Sequence, residues 1–125
     1  MKTIINSPKA PAPIGPYSQA VKVGNTLYVS GQIPIDQATG KIIDTSIEEE
    51  TKQVMINLGY ILKEAGADYS DIVKCSIFIK DMAQFAQINA VYGEYFPENP
   101  PARETVEVSQ LPKGVNVEIS CIAQL

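Results

Sequence analysis

The sequence predicts an α/β chain of one domain over residues 1–125, a mixed sheet with two helices on one of its faces. Three observations carry that expectation. At 125 residues, with 45% apolar and 19% charged side chains, the chain has the length for one core and a globular composition. Two stretches repeat apolar residues at three- and four-residue steps, the spacing of an amphipathic helix. Around them lie runs that alternate in twos, as strands do, giving the order ββ-α-β-α-ββ.

A short extra strand is expected at Thr3 to Ile5, followed by a loop from Pro8 to Pro16 punctuated by Gly15-Pro16. Ala20 to Val23 and Thr26 to Ser30 read as strands joined at Gly24-Asn25, two residues that tolerate positive φ in a hairpin turn. Leu27 and Val29 then share one face, Tyr28 and Ser30 the other. Ser46-Ile47-Glu48-Glu49 has the form of a capping box, and Glu48, Glu49 and Glu50 read as a solvated first turn. Ile47, Thr51, Val54, Leu58, Ile61, Leu62 and Ala65 give the first helix its apolar stripe, and Gly66 stands where a helix ends. Val73, Cys75, Ile77 and Ile79 alternate with Lys74, Ser76 and Lys80 in the next strand. Asp81 is placed to cap a second helix carrying Met82, Phe85, Ile88, Tyr92, Tyr95 and Phe96, ended by Pro97. Glu104 to Val108 and Val115 to Ala123 complete the strands. With both helices on one face the other stays open, and Val21 and Val23 make it too apolar for water. A partner subunit is expected there.

Composition removes whole classes of function. The formal charge is −4 and the lysines are scattered, so the basic face of a nucleic-acid binder is missing. No run of about 18 apolar residues is available to span a membrane. Met1 to Asn6 lacks the apolar stretch of a secretion signal, which makes the cytoplasm the expected compartment. There is no histidine, so Ser-His-Asp and Cys-His catalysis and the usual zinc sites are out of reach. Cys75 and Cys121 are far apart in sequence, lie on apolar strand faces and read as core residues. No metal or cofactor is expected.

Chemistry must then rest on carboxylates, tyrosine, hydroxyls, lysine and Arg103, the only arginine in the chain. A guanidinium grips a carboxylate through two parallel charge-assisted hydrogen bonds, a geometry lysine lacks. Its competing role is a surface ion pair. Glu118 falls mid-strand among Asn116, Ser120 and Gln124, where burial could tune it for proton transfer, or where it is simply solvated. Tyr17 follows the rigid Gly15-Pro16 turn, suiting either a ligand or packing. Ser30-Gly31 ends a strand, and the glycine permits close backbone approach by a ligand or serves a plain turn.

Taken in order, the segments Ala12-Pro13-Ile14-Gly15-Pro16-Tyr17-Ser18-Gln19, Ser30-Gly31-Gln32-Ile33-Pro34, Asp71-Ile72-Val73-Lys74, Asn89-Ala90-Val91-Tyr92 and Pro101-Ala102-Arg103 form a pattern. Val106-Glu107-Val108, Leu111-Pro112-Lys113 and Val117-Glu118-Ile119 close it. The chain resembles the Rid (YjgF-type) reactive-intermediate deaminases over essentially its whole length. The resemblance implies a chorismate-mutase-like fold in a homotrimer, with a central barrel of sheets and three clefts built from two subunits each. It implies that Arg103 grips a substrate carboxylate, and that Tyr17, Ser30, Gly31, Asn89 and Glu118 line the same cleft. The implied reaction converts 2-aminoacrylate-type enamines and imines to 2-keto acids and ammonia, with an imine or keto acid as the ligand.

Two positions depart from the family pattern of Ser or Ala followed by Cys: here they are Glu104 and Thr105. Thr105 still fits a cleft as a small polar residue, and the missing thiol argues against a nucleophile there. Glu104 should point away from Arg103 if the strand is regular. The alternative function is a trimer that binds small keto or amino acids without turning them over. A chorismate mutase, handling a dicarboxylate, would favour more than one cationic clamp.

Overall fold

The computed structural model describes residues 1–125. Its strands are β1 (Lys2–Ile5), β2 (Ala20–Val23), β3 (Thr26–Gln32), β4 (Ile35–Asp36), β5 (Lys41–Ile42), β6 (Ile72–Ile79), β7 (Ala102–Glu107) and β8 (Val117–Gln124). Its helices are α1 (Ile47–Glu64) and α2 (Phe85–Gly93). Six strands form a mixed sheet in the order β1-β2-β3-β8-β6-β7, while β4 and β5 pair as a separate ribbon. Only β6 and β7 run parallel, and α2 provides the crossover such a pair requires. The hairpin at Gly24-Asn25 forms as expected, with positive φ confined to Gly24, as in a turn that places glycine first.

Alternation along the strands sorts the sheet into two faces. Leu27, Val29, Cys75, Ile77, Ile79, Val117, Ile119 and Cys121 are buried under Val54, Leu58, Ile61 and Ile88 of the two helices. The opposite face carries a directly paired row, Ile4, Val21, Tyr28, Ile122 and Lys74, across five strands. Ile4, Val23 and Tyr28 are about half exposed there, so the apolar open face read from the sequence is present.

Helix α1 starts and stops where its terminal signals fall, although only the serine half of the expected capping box forms. Ser46 Oγ accepts from Glu49 N at 3.1 Å. At the other end Gly66 adopts φ +79°, donating to Lys63 O while Ala67 donates to Leu62 O, a Schellman ending. Within the first turn Glu50 is not solvated: it is 3% exposed, and its carboxylate accepts from Asn116 N (3.2 Å) and Nδ2 (2.8 Å). That acid ties α1 to the approach to β8. Asn57, also buried, donates to Ile33 O and Ile35 O and anchors the ribbon.

One register and several boundaries differ from expectation. In β6 the register shifts between Ile72 and Lys74, so Ile72 is buried and Val73 is 50% exposed. An inserted residue flips parity locally, which simple alternation does not anticipate. Asp81 caps a 3-10 turn over Met82–Gln84, and α2 proper starts at Phe85. The last two strands begin at Ala102 and Val117 instead of Glu104 and Val115.

Candidate functional site

Arg103 sits on the edge strand β7 opposite Cys75, and its side chain leaves the sheet on the helix side. Pro100-Pro101 fixes the chain as it enters the strand. Helix α2 meets the guanidinium with Phe85, Asn89 and Tyr92, spaced four and three residues apart on one face. Asn89 Oδ1 accepts from Arg103 Nη1 at 2.5 Å. The ring centroids of Phe85 and Tyr92 lie 5.5 and 5.1 Å from the guanidinium carbon.

No carboxylate neutralises this arginine, since the only ion pair in the chain joins Lys74 to Glu104. The competing role of surface ion pair is therefore unfilled, and most guanidinium donors remain uncommitted. Thr105 follows on the same side of β7, and its hydroxyl is buried without a hydrogen-bond partner. Met82, Phe85, Arg103 and Thr105 line one concavity, and Asn89, Tyr92, Pro101 and Arg103 belong to another. Glu104 points the opposite way, as strand parity requires: it accepts from Ser76 Oγ and pairs with Lys74 Nζ at 3.0 Å. These contacts hold its carboxyl below the usual range, and it does not compete for Arg103.

Glu118 occupies the open face, in a row with Phe78 of β6 and Val106 of β7. It is half-buried, and burial pushes its carboxyl above the ordinary glutamate value. Gly31 explains part of that burial. A Cβ built there would stand 2.5 Å from Glu118 Oε2, so only glycine lets the carboxylate lie over this backbone. Gly31 and Ser30 fall where the β3–β8 register shifts, between Val29 and Gln32. Ser30 N donates to Gln19 O (2.9 Å) and Ser30 Oγ to Ser18 O (2.6 Å), fastening the preceding loop. Tyr17, in that loop, is 51% exposed in the single chain. With Tyr28, Ser30, Lys74, Ser76 and Ser120 it lines a hollow on the open face.

Within one chain the seven candidate residues thus fall into two groups. Arg103, Thr105 and Asn89 gather on the helix side of the edge strand; Glu118, Gly31, Ser30 and Tyr17 gather on or beside the open face. No three His, Cys, Asp or Glu side chains cluster to hold a metal ion.

A family model described as Endoribonuclease L-PSP matches residues 7–125. The chain belongs to that family, the Rid proteins. A RutC family protein of Pyrococcus abyssi is 55% identical over 98% of this chain and 96% of its own. A 2-iminobutanoate/2-iminopropanoate deaminase of Bos taurus is 46% identical, covering 98% of this chain and 90% of its own. A solved structure from Yersinia pestis, ascribed to the conserved Rid family, superposes with TM-score 0.97 at 46% identity over 100% of both chains.

For this Rid chain, several contacts around the candidate residues escape sequence pattern. Phe85 and Tyr92 read as apolar positions of α2, yet both flank the arginine. Their spacing with Asn89 is the signal that could have found them. Gln19 is 2% exposed: its Oε1 accepts from Ser7 N at 2.6 Å and its Nε2 donates to Pro11 O at 3.0 Å, so one amide orders the proline-rich loop that presents Tyr17. Both cysteines are free, buried and directly paired across β6 and β8, and burial raises each thiol. No helix is long and apolar enough to cross a membrane.

Proposed function

We propose that this protein hydrolyses 2-aminoacrylate-type enamines and imines to 2-keto acids and ammonia, in clefts each shared by two subunits of a homotrimer. One observation carries the reading: the chain's single arginine faces a concavity with no acid to neutralise it. Such a fork suits the carboxylate of a small 2-imino acid. The deaminase name of the bovine relative supports the reaction, and Glu118, half-buried with a raised pKa, suits proton transfer.

The chemistry balances with water as the only co-reactant. The enamine CH2=C(NH2)–COO− takes a proton at its terminal carbon and loses one from nitrogen, becoming the imine. Arg103 holds the carboxylate while Glu118 takes a proton from water. The water oxygen bonds to C2, and the C=N π pair moves to nitrogen. Glu118 returns the proton to nitrogen, giving the carbinolamine. It then takes the hydroxyl proton and delivers it to the same nitrogen, so the C–N bond breaks with ammonia as the leaving group while the C2–O bond becomes the keto carbonyl. Thr105 Oγ1 and the backbone near Gly31 would fix the pose, with Tyr17 closing over it. Free imines hydrolyse unaided, so orientation and one acid/base need supply only a few kcal/mol.

The opposed faces of the two residue groups favour a shared cleft over a site within one chain. The apolar open face supports a partner of the same kind. An RNA-cleaving role finds no basis in these side chains, with net charge −4 and no histidine. The test is release of ammonia and keto acid from an enamine generated in situ by a PLP-dependent dehydratase, run in EDTA. Accelerated release is expected. Release no faster than without the protein would leave the binding-only alternative.

A further inference from the structure

We propose that helix α2 is the positioning element of the arginine clamp, the aromatic faces of Tyr92 and Phe85 holding the Arg103 guanidinium ready for a carboxylate. The proposal rests on the reading of Arg103 as that clamp. An arginine on an edge strand has four side-chain torsions to fix, and a clamp already held loses less freedom when ligand arrives. An acidic partner would hold it too, but would occupy the donors the ligand needs. An aromatic face attracts the cation through its quadrupole and leaves the in-plane N–H groups free.

The arrangement matches that requirement. Both rings lie within the roughly 6 Å range of such contacts, at 5.1 and 5.5 Å. Asn89, between them on the helix, takes a single Nη1 proton and sets the rotation of the fork. Asn89 thereby becomes a positioning residue, its Oδ1 directed at the arginine. Tyr92 cannot swing away, being 5% exposed with its ring 4.9 Å from that of Phe96, whose ring meets Tyr69 edge-on. Its hydroxyl is buried against the Cys75 thiol and makes no hydrogen bond to Arg103, so the ring is the part that meets the guanidinium.

A single arginine gives a single Nε–H resonance, so NMR can watch the clamp in the full-length protein without ligand. In Tyr92→Leu and in Phe85→Leu this signal should lose ring-current shift and rigidity; in Tyr92→Phe both should remain. Calorimetric titration of 2-oxobutanoate should show binding weakened roughly three- to thirtyfold in each leucine variant, the range of a cation–π contact, and restored in Tyr92→Phe. Melting curves establish that each variant is folded; Phe85 is only half-buried and serves if Tyr92→Leu is not. Unchanged Nε–H signal and affinity in a folded leucine variant would overturn the proposal, as would loss in Tyr92→Phe equal to that in Tyr92→Leu. Failure of the wild-type protein to bind 2-oxobutanoate would instead overturn the clamp, while the NMR result still reports on the cradle.

Discussion

Burial of Glu118 over Gly31 raises its pKa, and the shift has a sign in both rate and stability. The unfolded value is about 4.3, so between that and the higher folded value stability falls as pH rises. Above the folded value the cost of burying the charge is fully present. Glu118→Gln should therefore melt higher than wild type near neutral pH, an advantage that disappears below about pH 4.3. In the enamine assay its turnover should drop on the order of 10²–10⁴-fold while 2-oxobutanoate still binds. Full turnover would remove Glu118 from the chemistry. Arg103→Lys keeps charge but loses the fork, so both binding and turnover should suffer; unchanged keto-acid affinity would dismiss the clamp. Strand parity reveals from sequence which face Glu118 takes. It cannot reveal that Gly31 makes its bed, because that contact crosses between strands.

At the level of elements, α1 was legible from Ser46 to Gly66 because cap, stripe and stop all agree. Glu50 was not, since its partner Asn116 lies 66 residues away and helix periodicity carries no such information. The β4–β5 ribbon, two residues on each side, is too short to show alternation. Parity places Cys75 and Cys121 in the core, and the sheet puts them opposite each other. Serine at either position buries a hydroxyl, costing roughly 1–3 kcal/mol where it finds no partner. Chemical denaturation should register that loss while turnover per folded protein stays near wild type. A thiol-alkylating reagent that abolished activity without unfolding the protein would place a cysteine in the mechanism.

For the whole molecule, the open face presents Ile4, Val21, Tyr28 and Ile122 in one row, and its cover is expected to be two further copies of the chain. Light scattering at micromolar concentration should give three times the chain mass of 13.6 kDa; a stable monomer would dissolve the shared cleft. The most direct test mixes two defective chains, Arg103→Ala and Glu118→Gln, unfolded together in equal amounts and refolded. If each cleft takes Arg103 from one subunit and Glu118 from its neighbour, about a quarter of the clefts in random trimers receive both intact residues. The mixture should then recover about a quarter of wild-type deaminase activity, far above either parent. Mixed trimers that form, yet stay as inactive as their parents, would contradict the shared cleft.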